Sequence, residues 1–154
     1  MRIELLINCP ETIPALAKLW YEFLGRIWAP EISIESAELK FKSHLNETKL
    51  PLTLVALEDN YPIGMCSLRE NDGIREGLKP WLGSLVVSQL HQKRGVAQLL
   101  MNAIRKKAKE QGFDALYLLT FDPTLPAYYQ RLGWKKIGVD VLKGQDVTVM
   151  SIDL

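Results

Sequence analysis

Gln92-Lys93-Arg94-Gly95-Val96-Ala97 is the stretch whose residue types most directly suggest chemistry. It lies between an apolar run, Trp81 to Val87, and a helical pattern, Val96 to Lys109, so it reads as the turn from a strand into a helix. The first turn of a helix presents unpartnered N–H groups and the positive end of the helix dipole, which together attract an anion. Gly95 and Ala97 keep side-chain bulk away from an approaching phosphate, and Lys93 and Arg94 add positive charge. An ordinary basic turn ahead of an amphipathic helix fits the same residues. The rest of the chain has to decide between the two.

Other familiar site chemistry has no footing in the sequence. The turn lacks the GxxxxGK(S/T) of a P-loop and the GxGxxG of a dinucleotide fold. No HExxH, GxSxG or metal-spaced cluster occurs, so no bound metal and no serine nucleophile is expected. His91 stands directly before the turn, but as a lone loop histidine it reads as incidental, and His44 reads as solvated on a polar helix face. Cys9 and Cys66 sit in apolar strand patterns without CxxC spacing and read as small buried thiols in a reducing compartment. With 19 basic and 18 acidic residues the net charge is +1, which gives no reason to expect a nucleic-acid or membrane partner. No apolar run approaches the ~18 residues of a membrane span, and Arg2 and Glu4 interrupt any signal-peptide pattern. A cytoplasmic location is the expectation.

The elements that must hold the turn follow from periodicity. At 154 residues and 47% apolar, the chain fits one domain, 1–154, with a sizeable core. Arg2 to Asn8 reads as an opening strand. A helix starts near Thr12, with Pro14 in its first turn and Ile13, Leu16, Ala17, Trp20, Phe23, Leu24 and Ile27 at helical spacing. Gly25 weakens its end and Pro30 stops it. Ser33 caps a second helix carrying Ile34, Ala37, Phe41 and Leu45 on one face. Leu52 to Glu58 and Tyr61 to Arg69 form a hairpin on Asp59-Asn60, and Asn71 to Pro80 is a loop. Within Trp81 to Val87, Gly83 and Ser84 leave room for a bulge.

The helix after the central turn buries Val96, Leu99, Leu100, Ala103, Ile104 and Ala108, and its basic C-terminal end, Arg105 to Lys109, complements the dipole. Ala115 to Phe121 is a further strand, so strand, helix and strand make a right-handed unit with two parallel central strands. A short helix, Leu125 to Leu132, and a closing hairpin on Lys143-Gly144, Trp134 to Leu142 with Gln145 to Asp153, complete the order β-α-α-β-β-β-α-β-α-β-β. The result is a single α/β domain with a mixed central sheet.

This order, the Gln92 to Ala97 turn and the later Ala127-Tyr128-Tyr129-Gln130-Arg131-Leu132-Gly133-Trp134 together resemble the GNAT superfamily of acetyl-CoA-dependent N-acetyltransferases. Gln92, Gly95 and Ala97 match the family's (Q/R)-x-x-G-x-(G/A) pyrophosphate loop, and Tyr129 falls at the tyrosine of its Tyr-x-x-Leu-Gly-aromatic helix end. The resemblance implies acetyl-CoA as co-substrate. Pantetheine would lie where the strand ending Leu85-Val86-Val87 splays from Leu116 to Thr120, and the amides of Lys93, Arg94, Gly95, Val96, Ala97 and Gln98 would hold the pyrophosphate.

It also implies that Tyr129 protonates the departing thiolate, since a tyrosine of pKa ~10 can donate to a thiolate whose acid has a pKa of ~8.5. A tyrosine that only packs its helix on the sheet is the plainer reading. Two departures from the family pattern stand out. Trp81 to Val87 contains no carboxylate where many members carry a catalytic glutamate, which leaves Glu70, Asp72, Glu76 or a water relay as base, with Asp72 favoured. Asp122 replaces a frequent asparagine and reads as local turn bonding. The implied reaction is acetylation of a primary amine on a small molecule, peptide or protein N-terminus; a non-catalytic acyl-CoA-binding module is the alternative. The acceptor would meet Trp28, the first two helices, loop 71–80 and the closing hairpin. A homodimer is compatible with the sequence but not specified by it.

Overall fold

Two turns fix the pairing of four strands. Asp59-Asn60 (φ 50° and 65°) and Lys143-Gly144 (φ 50° and 77°) hold both central residues in the left-handed region. That is the type I′ geometry whose twist matches the flanking strands. The computed structural model describes residues 1–154. Its strands are β1 (Arg2–Leu5), β2 (Leu52–Glu58), β3 (Tyr61–Arg69), β4 (Trp81–Val87), β5 (Ala115–Thr120), β6 (Lys135–Leu142) and β7 (Gln145–Asp153). They form one sheet in the order β1-β2-β3-β4-β5-β7-β6, antiparallel throughout except for β4 against β5.

The helices are α1 (Ile13–Trp20), α2 (Arg26–Trp28), α3 (Ile34–Lys42), α4 (Val96–Glu110) and α5 (Leu125–Arg131). They cover both faces of the sheet, and β2 shows why both are apolar. Leu52, Leu54 and Ala56 enter the core beneath α4 and α5, whereas Val55 and Leu57 enter the one beneath α1 and α3. Ser33 caps α3 by accepting a hydrogen bond from the Ser36 amide at 3.1 Å. No helix is long and apolar enough to cross a membrane.

Four expectations need correction. The opening strand ends at Leu5, because Leu6–Asn8 winds into a 3-10 turn that drops Leu6 fully into the core. The first helix does not weaken at Gly25; it passes through one π-helical turn, Tyr21–Gly25, and continues as α2. Gly25 is there for packing, since a Cβ would stand 2.8 Å from the Trp20 ring. On α4, Leu99 is 45% exposed, and Met101 occupies the buried face in its place. His44 is not solvated. It is 3% exposed and hydrogen-bonded through Nδ1 to Thr53 Oγ1 at 2.8 Å, which in turn bonds Ser67 Oγ at 2.7 Å.

The feature that makes a site lies at the sheet centre. β4 and β5 share one registered pair, Trp81 with Tyr117, and then part. On its other side, β4 pairs with β3 as Met65↔Val86 and then Ser67↔Gly83, so Ser84 and Leu85 together oppose Cys66. Ser84 adopts φ 50° to make this bulge, at the place the glycine-serine pair predicts.

Burial, reinforced by Arg69 and Lys40, lowers the His44 pKa to about 3. Unfolding restores an ordinary value near 6.5, so the unfolded chain binds more protons between those limits. Stability held above pH ~6.5 is therefore lost as pH falls toward 3. Between pH 6.5 and 5, wild type should lose stability more steeply than His44→Asn, by up to about 1.4 kcal/mol per pH unit. Urea unfolding at stepped pH checks this, and parallel slopes would refute it.

Candidate functional site

The turn into α4 is a cradle of free backbone donors. Lys93 (φ 62°) and Gly95 (φ 81°) both take left-handed conformations, and Gly95 immediately precedes the helix. The first helical bond runs from Leu99 N to Gly95 O, and no backbone N–H from Lys93 to Gln98 finds an acceptor within the chain. Such a run of unsatisfied donors at the positive end of a fifteen-residue helix suits an anion. A Cβ on Gly95 would meet nothing within 4 Å, so the space before the amides is open. Gln92 ties the turn to the sheet by donating from Nε2 to the Val87 carbonyl at 3.1 Å. His91 is not partnerless as the sequence suggests; its Nε2 lies 2.9 Å from Glu58 Oε2, which pins the segment before the turn to the end of β2.

A cavity of about 380 Å³ opens where β4 and β5 part. Leu82 to Leu85 form one wall and Leu118 to Phe121 the other, with Tyr129 of α5, Asp72 of the loop and Trp28 of α2 also lining it. Of the three strand residues expected here, Leu85 faces the cavity. The Val86 side chain packs in the α1 core and that of Val87 beneath α4, so only their backbones are available to a ligand.

Tyr129 is 7% exposed and packs between Tyr128 and Trp134, at ring distances of 5.3 and 6.1 Å. Its hydroxyl has no hydrogen-bond partner within the chain, and burial pushes its pKa up, so it carries its proton at neutral pH. Tyr128 does not line the cavity. Asp122 accepts from the Thr124 amide (2.8 Å) and hydroxyl (2.7 Å), a local turn bond in line with the sequence.

Asp72 is the one member of the Glu70, Asp72 and Glu76 set that reaches the cavity; the other two are exposed and outside it. Burial raises its pKa, and the Arg69 guanidinium 2.9 Å away opposes that rise. Arg69 also bonds Ser84 Oγ through Nη2 and lies on Gly83, where a Cβ would meet Cζ at 3.2 Å. The sequence reading missed Arg69, Lys40 and Lys143 as cavity residues. Nothing in their local patterns distinguishes them from other surface cations. Trp28 stands edge-on to Phe121 at 5.4 Å, as part of the cavity wall. No group of three or more His, Cys, Asp or Glu side chains is placed to hold a metal.

The Gly95 conformation is testable apart from any ligand. Gly95→Ala introduces no clash but forces an L-residue into the left-handed region, at a cost of about 1–2 kcal/mol. Urea unfolding should show a lower midpoint with an unchanged slope. An undiminished midpoint would mean that the turn relaxes to another conformation.

Comparison with known proteins agrees with this geometry. The profile of the Acetyltransferase (GNAT) family matches residues 14–134. No curated protein sequence matches the chain significantly. Among solved structures, the ribosomal-protein-alanine N-acetyltransferase from Brucella melitensis superposes with a TM-score of 0.78 at 17% identity, covering 100% of both chains. An aminoglycoside 6'-N-acetyltransferase complexed with coenzyme A gives 0.76 at 19% identity, over 99% of this chain and 97% of that one. Aminoglycoside 6'-acetyltransferase type Ii gives 0.75 at 22%, with the same coverage. At these identities the superpositions speak for the fold alone. The family match spans most of the chain and takes in both the α4 turn and Tyr129, and on that ground the protein belongs to the GNAT acetyltransferase family.

Proposed function

We propose that the protein transfers the acetyl group of acetyl-CoA to a primary amine on a small molecule, peptide or protein N-terminus. The observation that carries this reading is the Tyr129 hydroxyl, protonated and without a partner in the chain, in the cavity between the parted strands. Family membership makes acetyl-CoA the co-substrate. The unpaired amides from Lys93 to Gln98 suit its pyrophosphate, and the backbone of Leu85, Val86 and Val87 suits the peptide-like pantetheine.

The chemistry then divides between two side chains. A neutral amine attacks the thioester carbonyl; the C–N bond forms, the C–S bond breaks, and the thiolate takes the Tyr129 proton. The proton lost by the amine goes to Asp72, directly or through water. Asp72 is suited to this because burial raises its proton affinity while Arg69 keeps it a carboxylate before attack.

Acetyl-CoA should raise the melting temperature, since it binds the folded chain alone. Gly95→Glu should abolish the shift by placing bulk and negative charge before the amides; a folded variant with an undiminished shift would disprove the loop assignment. Tyr129→Phe should leave acetyl-CoA binding within about 0.5–1.5 kcal/mol of wild type and slow the single-turnover rate by roughly 10²–10⁴-fold. Thiol release with an amine library finds the acceptor first. If Tyr128→Phe is crippled while Tyr129→Phe turns over within about threefold of wild type, the acid is the other tyrosine. Affinity for acetyl-CoA without turnover on any amine would identify a binding module instead.

A further inference from the structure

The wall of the cavity away from the sheet is cationic and aromatic. Lys40 of α3 and Lys143 of the β6–β7 turn line it beside Trp20 and Trp28. The Lys40 ammonium stands 4.7 Å from the Trp20 ring centroid, and Lys143 Nζ donates to the Trp28 carbonyl at 3.4 Å. Neither lysine forms an ion pair. The single carboxylate of the cavity, Asp72, is already engaged by Arg69.

The arrangement is under electrostatic tension. Much of the Lys40 side chain is exposed, but its ammonium lies at the cavity. Burial there, with repulsion from Arg69 and Lys143 against the pull of Asp72, lowers its pKa to about 8. Arg69 Nε is enclosed with no partner at all. A polycation entering this cavity would add to the repulsion. An anionic group would relieve it, as an apolar ring would complete the Trp20, Trp28 and Phe121 surface.

We infer that the acceptor is a compact amine that also carries a carboxylate or phosphate, its anion seated between Lys40 and Lys143 and its amine directed at the gap between β4 and β5. This rests on the acetyl-transfer reading above and narrows its substrate class. It separates the protein from a polycationic acceptor such as an aminoglycoside.

Matched probes test it. Binding of 4-(aminomethyl)benzoate, 4-(aminomethyl)phenyl phosphate, benzylamine and kanamycin to the CoA-loaded protein is measured by calorimetry, and thiol release by the same amines with acetyl-CoA. The carboxylate or phosphate probe should bind at least about tenfold more tightly than benzylamine, and the preferred one identifies the anion. In Lys40→Gln/Lys143→Gln that preference should shrink to within about threefold, while the acetyl-CoA melting shift reports that the variant is folded. Equal binding of benzylamine, stronger binding of kanamycin, or an unchanged preference in the double variant overturns the inference. Selective binding of an anionic probe with no thiol release supports the anion site and counts instead against acetyl transfer.

Discussion

Two parallel strands that share a single registered pair and then part leave a column of peptide groups without partners in the middle of a sheet. That is an expensive arrangement, because a buried N–H or C=O without a hydrogen bond costs about 1–3 kcal/mol. It persists only if something holds the strands open and something else satisfies the groups. Here β4 is held from its other side by the Ser84 bulge against β3, which spends one residue without lengthening the strand. The α4 turn then begins directly beyond the end of β4, tied to it by Gln92. Strand gap, cavity and anion cradle are thus consecutive along one element.

Arg69 is the side chain on which the acceptor half depends. Its guanidinium reaches across β4 onto Gly83, binds Ser84 at the bulge, and meets Asp72 from the loop. A larger residue at 83 would push it away. The same charge acts through the low-dielectric interior on groups it does not touch, depressing the proton affinity of both His44 and Lys40. Bulge geometry, carboxylate charge and the neutrality of a buried histidine therefore share one source.

What the sequence revealed and what it hid divide along the range of the interaction. Asp59-Asn60, Lys143-Gly144 and the Ser33 cap were legible because their physics is complete within a few residues. So was the Gly83-Ser84 bulge, where a small pair interrupts an apolar run. The fate of His44 depends on Thr53 and Ser67, partners on two other elements, and no local pattern points to them. Lys40, Arg69 and Lys143 come from three separate elements and meet only in the folded chain. Periodicity also assigned Leu99 to the buried face, although the sheet beneath α4 is narrower than the apolar stripe.

The π-helical turn at Tyr21–Gly25 has an evolutionary consequence. Such a turn accommodates one residue more than an α-helix would at the same place. Each residue advances the side-chain direction by about 100°, so that extra residue sets the phase of all that follows, including Leu24, Trp28 and Ala29 on the cavity wall. Loss of a single codon here would restore a regular helix and swing Trp28 away from Phe121, with every catalytic side chain left intact. The lineage could thereby exchange one acceptor for another through an in-frame deletion, a route that needs no substitution among the residues that touch the acetyl donor.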